Sequence, residues 1–304
     1  MEFGKVPISN LATTDFTLPP DPELTTATLR AAKLQGELKV HVGCSSWGQK
    51  VWKGNLFPAK IKDADFLAEY VKHFNFIELN ATHYRMWEPD AICKWRDKAA
   101  GNPDFKFSPK FNQIISHVRR LKGADEITTA FYESMLAFEE KLGPMFLQLN
   151  ENFSPNSFTE LKAYLQSLPH DIPVFTELRH KDWFAQPAIR EDVFELMHNL
   201  HIGAIITDTA GRRDVVHMYL PTPHAYIRFV GNALHPTDYL RIDAWVERIK
   251  QWADLGLQSL YVGMHQSDER TAPVLCDYLI QRLNQELGLQ VARPKLLPVN
   301  GTLF

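Results

Sequence analysis

Cysteine is scarce in this sequence, and its scarcity excludes two common ways of stapling a chain together. The three cysteines, Cys44, Cys93 and Cys276, lie far apart in 304 residues and form no CxxC or CxxH pair. An odd number at such spacing fits neither a disulfide framework nor a structural zinc site. We therefore expect reduced thiols and a cytoplasmic protein, because the cytosol keeps cysteines reduced.

Long apolar runs and an excess of charge of one sign are also missing. The first thirty residues carry Asp15, Asp21, Glu23 and four prolines, not the apolar run of about 7–15 residues that a signal peptide needs. No stretch approaches the roughly 20 apolar residues of a membrane span, so we expect no membrane partner. Lys and Arg total 33 against 36 for Asp and Glu. This balance excludes a globally basic surface and is compatible with a local basic cleft.

Several familiar catalytic motifs are absent as well. The sequence has no GxGxxG or GxxxxGK[ST] loop for phosphates and no HExxH pair for zinc. It has no GxSxG elbow for a nucleophilic serine. Function must therefore be inferred from where the predicted fold places its polar residues.

A short apolar run, a polar loop and an amphipathic helical pattern recur along the chain. Strands are predicted at 39–44, 76–80, 105–110, 145–149, 174–178, 203–207, 225–229 and 259–263. Helical patterns follow most of them, whereas 211–223 shows no clear helix. Eight strand–helix units at a spacing of about 30 residues favour a parallel sheet, and eight is the number that closes a barrel.

We therefore predict an α/β fold, a single (β/α)8 TIM-type barrel with an N-terminal extension. The predicted division is an extension at 1–38, the barrel at 39–295 and a C-terminal tail at 296–304. The barrel segment is close to the typical length of about 250 residues. An open doubly wound sheet is the alternative, but the near-equal units and the missing glycine-rich loop favour closure.

Polar side chains recur late in the predicted strands, on faces that alternate with a period of two. Active sites of such barrels lie at the carboxyl ends of the strands, so we predict a polar cluster there. Its members are Glu78, Asn80, Lys110, Glu177, Arg179, Asp208, Arg228 and His265. The alternative is a structural network of ion pairs that fills the barrel, since such networks also occur away from functional sites.

Aromatic and basic side chains gather in the loops that follow these strands. They are Trp47, Trp52, His83, Tyr84, Arg85, Trp87, His117, Arg119, Arg120, His180 and Trp183. Aromatic rings beside Arg and His suit stacking on a base or a sugar ring, with the cations holding phosphate. For any single tryptophan, packing against the barrel rim is the competing interpretation.

Six stretches of the sequence resemble a known family. They are VGCSSW at 42–47, WKGNLFP at 52–58, FIELNATHYR at 76–85, FKFSPK at 105–110, LGPMFLQL at 142–149 and ELRHKDWF at 177–184. Together they are similar to the YecE-like family, the domain of unknown function seventy-two, over about residues 40 to 280. The resemblance implies a TIM barrel and implies no activity.

The sequence departs from the family's pattern in three places. Asp182 replaces the usual serine of the ELRHKDWF stretch. The usual Arg-x-His-Gly has valine in place of histidine, at Val230, and the usual Asn-Asn after strand eight reads His265-Gln266. If the family's chemistry uses these positions, this member binds something different or lacks a step.

The first functional hypothesis is an enzyme whose narrowest form hydrolyses a phosphate ester in a nucleotide or nucleic acid. Lys110, Arg179 and Arg228 would hold the phosphate. Glu177 or Asp208 would act as general base or metal ligand, and His83, His117 or His265 as proton donor. The other predicted ligand-binding residues are Trp47, Trp52, Glu78, Asn80, Tyr84, Arg85 and Trp183.

Two further hypotheses use the same cleft. One is a non-catalytic protein that binds a nucleotide or single-stranded nucleic acid. The other is a carbohydrate enzyme with Glu177 and Asp208 as its carboxylate pair. The cofactor is left open: Glu177, Asp208 and His265 could converge on a divalent metal, but the missing HExxH motif disfavours one. The sequence predicts no particular protein partner.

Overall fold

The computed structural model describes residues 3–32 and 36–297, and these form an α/β fold with eight strands in the predicted places. The end of the predicted C-terminal tail, 298–304, lies outside the described residues. The strands are β1 Lys39–Cys44, β2 Phe76–Leu79, β3 Lys106–Pro109, β4 Met145–Gln148, β5 Val174–Glu177, β6 Gly203–Asp208, β7 His224–Gly231 and β8 Ser259–Gln266. The eight predicted strands are thereby confirmed.

Helices follow most strands, as the periodicity predicts. They are α1 Ile8–Leu11, α2 Glu23–Ala32, α3 Phe66–Tyr70, α4 Ala81–Tyr84, α5 Pro89–Lys98, α6 Asp125–Met135, α7 Phe158–Ser167, α8 Asp182–Ala185, α9 Pro187–Asn199, α10 Pro236–Leu255 and α11 Ala272–Leu287. The segment between β6 and β7 has a 3-10 turn, Arg213–Val215, where no helix was expected. Among the helices of the described ranges, none has the length and apolarity to cross a bilayer.

The predicted closed eight-stranded barrel is wrong, because the strands pair in two separate parallel sheets. Six of them form one sheet in the order β1-β8-β7-β6-β5-β4, and β2 pairs with β3 alone. The fold is therefore open, with two interruptions in the backbone ladder. The alternation of strands and helices predicted the parallel strands correctly, but it did not predict that the ladder is interrupted.

Side chains occupy the place of the missing ladder between β1 and β2. The Tyr70 hydroxyl accepts from the backbone N–H of Cys44 at 2.7 Å and donates to the carbonyl of Phe76 at 2.9 Å. The Asn75 amide bonds the backbone of Val42 and Val40 at 2.9 and 2.8 Å. These bonds satisfy backbone groups that a continuous ladder would have paired. Between β3 and β4 the described backbone forms only isolated bridges.

Aromatic side chains from both sheets meet in one inner layer. Its buried members are Phe76, Phe146, Phe175, Ile205 and Tyr226, with Tyr261 packed against them. Each lies two residues before a further inward position, because strand side chains alternate with a period of two. The next inward positions toward the carboxyl ends are polar, so the aromatic layer forms the base on which the candidate site lies.

The segment before β1 packs on the body of the fold. Thr25 of α2 donates to the carbonyl of Met218 at 2.6 Å and accepts from the N–H of Leu220 at 2.8 Å. Asp21 pairs with Arg248 of α10 at 2.7 Å. These contacts fix the extension against α10 and the segment between β6 and β7.

Candidate active site

A buried arginine between two buried carboxylates forms the centre of the polar layer. Arg228 of β7 donates to Glu78 of β2 through Nε at 2.8 Å and Nη2 at 2.7 Å. Its Nη1 donates to Glu177 of β5 at 2.6 Å. All three side chains are almost fully enclosed. Two distant strands are therefore tied to β7 by charge-assisted bonds, the stronger class of hydrogen bond.

A second set of polar side chains surrounds this central triad. Asn80 donates to Glu78 at 2.9 Å, and His265 Nε2 lies 3.0 Å from a Glu78 oxygen. On the other side, Glu177 accepts from Arg179 Nε at 2.7 Å and from the Thr207 hydroxyl at 2.8 Å. Seven of the eight residues predicted for the cluster, all except Asp208, belong to this layer.

The charges of the triad support one another. Burial alone would raise the pKa of Glu177, but the positive charges of Arg179 and Arg228 hold it well below the ordinary value. The pKa of Glu78 is likewise held well below its ordinary value against the effect of burial, by Arg228 and His265. Both carboxylates are therefore ionised at neutral pH, and the positive charge of Arg179 beside Glu177 offsets the one negative charge that Arg228 leaves unbalanced.

Lys110 extends the layer from the end of β3. Its Nζ donates to the Gln148 carbonyl oxygen at 2.6 Å, and the amide of Gln148 donates to Glu177 at 2.6 Å. Burial, followed by the charges of Arg228 and Arg179, lowers the pKa of Lys110 to about 7. A lysine of this pKa gains and loses a proton near neutral pH, which most lysines do not.

Two histidines lie beside Lys110 and touch each other. The rings of His83 and His117 are 4.8 Å apart in an edge-on arrangement. Burial and then the charge of Lys110 lower the pKa of each to about 4. Burial also lowers the pKa of His265. His83 and His117 are therefore neutral at pH 7 and hold no proton to donate as imidazolium.

A cavity of about 500 Å³ opens above this layer, at the ends of β4 and β5. Its lining residues are His117, Leu149, Asn150, Glu151, Asn152, Arg179 and His180. Arg179 thus joins the cavity to the buried cluster, since its Nε is bound to Glu177. Of the predicted catalytic and ligand-binding residues, only His117 and Arg179 are in this lining.

Asp208 lies apart from the cluster, on the outer face of β6. Its carboxylate accepts from Arg241 at 2.9 Å, from the Trp245 indole at 2.6 Å and from Arg213. The inner position of β6 is Thr207 instead, which bonds Glu177. Asp208 therefore does not form a facing carboxylate pair with Glu177, and the carbohydrate hypothesis loses its geometric basis. Glu177, Asp208 and His265, the three residues considered for a divalent metal, do not converge, and no group of three potential metal-binding side chains occurs in 3–32 and 36–297.

The predicted tryptophans pack inward. Trp52 and Trp183 are fully buried, and their indoles donate to the carbonyls of Glu269 and Phe153 at 2.7 Å each. Trp47 packs edge-on against Trp95 and Phe107. Trp52 and Trp183 therefore offer no free face for stacking, whereas Trp47 is half-buried.

Exposed residues instead lie next to His83 and His117. Tyr84 is 70% exposed and contacts the His83 ring at 5.1 Å. Val118 is also 70% exposed. Arg85 lies over the Trp87 ring at 4.6 Å with its side chain at the surface. This exposed patch is continuous with the cavity through His117.

Sequence reasoning missed Gln148, Thr207 and Glu269. Gln148 shares a face with the inward Phe146, so the period of two could have revealed it. Glu269, after β8, carries no such signal. Burial, with the nearby charge of Glu78 acting in the same direction, raises its pKa to about 7.

Comparison with known proteins places the chain among a defined set of relatives. A family model described as "Protein of unknown function DUF72" matches residues 41–298. UPF0759 protein YecE of Escherichia coli (strain K12) is 26% identical over 283 residues, covering 87% of this chain and 100% of that protein. UPF0759 protein YunF of Bacillus subtilis (strain 168) is 26% identical over 157 residues, covering 49% of this chain and 53% of that protein. The resemblance seen in the sequence motifs is confirmed.

Solved structures share the fold. A DUF72 family protein from Enterococcus faecalis V583 superimposes with a TM-score of 0.65 at 18% identity, covering 84% of this chain and 100% of that one. A DUF72 family protein from Thermotoga maritima MSB8 gives a TM-score of 0.60 at 21% identity, covering 83% and 100%. These descriptions name no activity, so the chemistry must come from the site.

Proposed function

We propose that this chain, which belongs to the DUF72 family, is an enzyme that acts on a small anionic substrate in the cavity above β4 and β5. The observation that carries the proposal is the link between the cavity-lining Arg179 and the buried Lys110, an amine that titrates near neutrality and is joined to Arg179 through Gln148 and Glu177. Hydrolysis of a phosphate ester is the narrowest form of the proposal, because arginine can bind a phosphate with two parallel N–H bonds.

Arg179 is the anchor for the anionic group. It lines the cavity, and its bond to Glu177 uses only the Nε donor. A guanidinium carries five N–H donors in a rigid fork, so the terminal nitrogens can serve a phosphate or carboxylate. The pairing with Glu177 fixes the side chain before the ligand arrives, which lowers the entropic cost of binding.

Lys110 is the proton-transfer group, and this reverses two roles predicted from the sequence. The histidines were expected to donate protons and Lys110 to hold the anion. With pKa values of about 4, His83 and His117 are neutral, whereas Lys110 at about 7 exists in both forms. A general acid or base works best when its pKa is near the working pH. The arrival of an anion would raise the pKa of Lys110 and draw in a proton.

The test compares Lys110→Met with Lys141→Met on p-nitrophenyl phosphate and bis-p-nitrophenyl phosphate. Lys141 is also buried, and it donates to the carbonyls of Asn102 and Pro103 outside the site. We expect Lys110→Met to reduce turnover by about 100-fold or more, the usual contribution of a positioned acid or base. Lys141→Met should lower turnover only in proportion to the protein that fails to fold. Equal turnover by the wild type and Lys110→Met would contradict the role of Lys110. If the wild type hydrolyses neither ester, the phosphate-ester form of the proposal is wrong.

A second candidate function is the binding of single-stranded nucleic acid, and the exposure of Tyr84 favours it. The ring is 70% exposed and next to the surface side chain of Arg85, while Arg119 is exposed beside the cavity-lining His117. A base could stack on Tyr84 while its phosphate enters the cavity. Fluorescence anisotropy with a labelled oligonucleotide tests this: Tyr84→Ala should weaken binding, and Leu240→Ala, an equally exposed residue on α10, should not.

We also propose that the protein works in the cytoplasm. Cys44 and Cys276 lie with their sulfurs 3.8 Å apart, and both are free thiols. Such a pair supports a reducing compartment, since an oxidising one would favour bridging. Mass spectrometry of alkylated protein from intact cells should find both cysteines as thiols; a bridged pair would argue for another compartment.

A further inference from the structure

Phe3, at the start of the N-terminal extension, packs against the arginine that lines the cavity. The ring is only 6% exposed. The Cζ atom of Arg179 lies 4.2 Å from the ring centroid, and the Cζ atom of Arg212 lies 4.9 Å from it. One phenyl ring therefore contacts two guanidinium groups, and one of these belongs to the candidate active site.

The backbone beside Phe3 is fixed to the loop after β6. The carbonyl of Gly4 accepts from the N–H of Gly211 at 2.7 Å and from the Thr209 hydroxyl at 3.0 Å. Gly4 has φ +71°, and a Cβ there would fall 2.3 Å from the Thr209 side chain. Only glycine suits both this backbone conformation and the close packing against Thr209, so the contact between the two segments depends on Gly4.

Arg179 is held from two directions. Glu177 binds its Nε, and the Phe3 ring lies against the guanidinium carbon. In residues 3–32 and 36–297, Glu177 is the one hydrogen-bond acceptor of this guanidinium, which leaves the terminal nitrogens for a ligand. Arg212 adds a third restraint, because its Nη2 donates to the backbone carbonyl of Arg179 at 2.8 Å.

We propose that Phe3 is a positioning residue for the anion-binding arginine, so that the N-terminal extension forms part of the site. The inference rests on the proposed function, in which Arg179 holds the anionic group. The ring fixes the plane of the guanidinium, and the plane decides whether two parallel N–H bonds can reach the ligand. Without the ring, Arg179 keeps one bond to Glu177 and can rotate about it.

The test uses Phe3→Leu, which keeps an apolar side chain and removes the ring, and Phe3→Tyr, which keeps the ring. The matched control is Phe16→Leu, since Phe16 of the same extension contacts Arg213 and Arg241 at 5.3 and 5.1 Å, away from the cavity. With inorganic phosphate as the probe, calorimetry should show a dissociation constant about fivefold higher in Phe3→Leu, equivalent to about 1 kcal/mol. Phe3→Tyr and Phe16→Leu should bind phosphate as wild type does.

A second measurement needs no ligand. Arginine labelled with nitrogen-15 at Nε gives an N–H signal for Arg179, assigned by its loss in Arg179→Gln. The heteronuclear NOE of this signal should fall in Phe3→Leu and stay unchanged in Phe16→Leu. An unchanged NOE in Phe3→Leu overturns the inference, whatever the phosphate titration gives.

The two proposals fail in different ways. A lower NOE in Phe3→Leu with no phosphate binding by the wild type would support the positioning role and count against phosphate as the substrate group. Phosphate binding that is lost in Arg179→Gln and unchanged in Phe3→Leu would support the proposed function and overturn the role of Phe3. A purely structural Phe3 would lower the stability of Phe3→Leu without moving either the NOE or the affinity.

Discussion

Replacing Arg228 by methionine removes the one cation that separates two buried carboxylates. In the wild type Arg228 makes two bonds to Glu78 and one to Glu177, and all three side chains are enclosed. Methionine is also long and unbranched, so the main effect of the substitution is the loss of the charge and of the hydrogen-bond donors. Glu78 and Glu177 would then share one polar layer without the cation that bonds both of them.

The expected loss of stability is large near neutral pH. Breaking a buried ion pair by removing one partner costs about 3–5 kcal/mol, because the other partner is left charged and desolvated. Here two carboxylates are left, although Glu177 keeps Arg179 and Gln148 and Glu78 keeps Asn80 and His265. We therefore expect about 4 kcal/mol, in the middle of that range.

The pH dependence gives the sign of the effect. In the wild type the pKa values of both carboxyls lie below those of the unfolded chain, so their contribution is present above the unfolded pKa and is lost as pH falls through the folded one. In Arg228→Met burial and mutual repulsion raise these pKa values above the unfolded value of about 4.5. The variant then binds protons on folding and loses stability as pH rises, so its deficit is greater at about pH 8 than at about pH 5.

Urea unfolding followed by tryptophan fluorescence at the two pH values measures this deficit. Arg241→Met is the control: Arg241 is equally buried and bonds Asp208, but Asp208 keeps Trp245 and Arg213. Its deficit should change less with pH. A deficit of less than about 1 kcal/mol in Arg228→Met, the value of a surface pair, would refute the reasoning, and so would a deficit that shrinks as pH rises.

Three other substitutions test separate parts of the structure. Lys110→Met should stabilise the fold by about 2 kcal/mol near pH 6, because the pKa of Lys110 is about 7 in the folded protein and about 10.5 in the unfolded chain, and the cost of leaving Gln148 unpaired reduces this gain. Urea unfolding should show the gain in stability vanishing as pH rises toward about 10.5. A gain that grows with pH would contradict the prediction. Gly43→Ala should prevent folding, since a Cβ would fall 1.8 Å from the Phe76 carbonyl oxygen. A circular dichroism spectrum of the Gly43→Ala variant that matches the wild-type spectrum would contradict this close approach. Trp183→Phe should lower the stability by about 1–2 kcal/mol, because the hydrogen bond from the indole to the Phe153 carbonyl is lost. Its affinity for phosphate, measured by calorimetry, should be unchanged. A weaker affinity would show that Trp183 contacts the ligand.

The inner polar layer could be predicted in large part because strand geometry is simple. Side chains alternate, so one inward residue fixes the phase of a strand, and Glu78, Glu177 and Arg228 follow from Phe76, Phe175 and Tyr226. The interrupted ladder could not be predicted in this way. It depends on Tyr70 and Asn75, which lie before β2 and resemble ordinary polar residues of a helix end and a turn.

The charge states needed the assembled structure even where the residues were predicted. Lys110 lies at the end of β3, whereas the arginines that lower its pKa come from β7 and from the residues just after β5. Their distances from Lys110 depend on how three strands meet, which no local pattern encodes. The same reason explains why the histidines were given a donor role that their low pKa values do not support.

Asp208 shows where the rule of alternation stops being informative. Every residue of β6 is buried, because helices cover one face and the aromatic layer covers the other. A strand buried on both faces has no polar side to mark its phase, so Asp208 and Thr207 were equally good candidates for the inward position. The outward position is explained by α10, which brings Arg241 and Trp245 to the carboxylate. The inner and outer networks therefore differ in role: one meets the cavity at Arg179, and the other anchors α10 to the sheet.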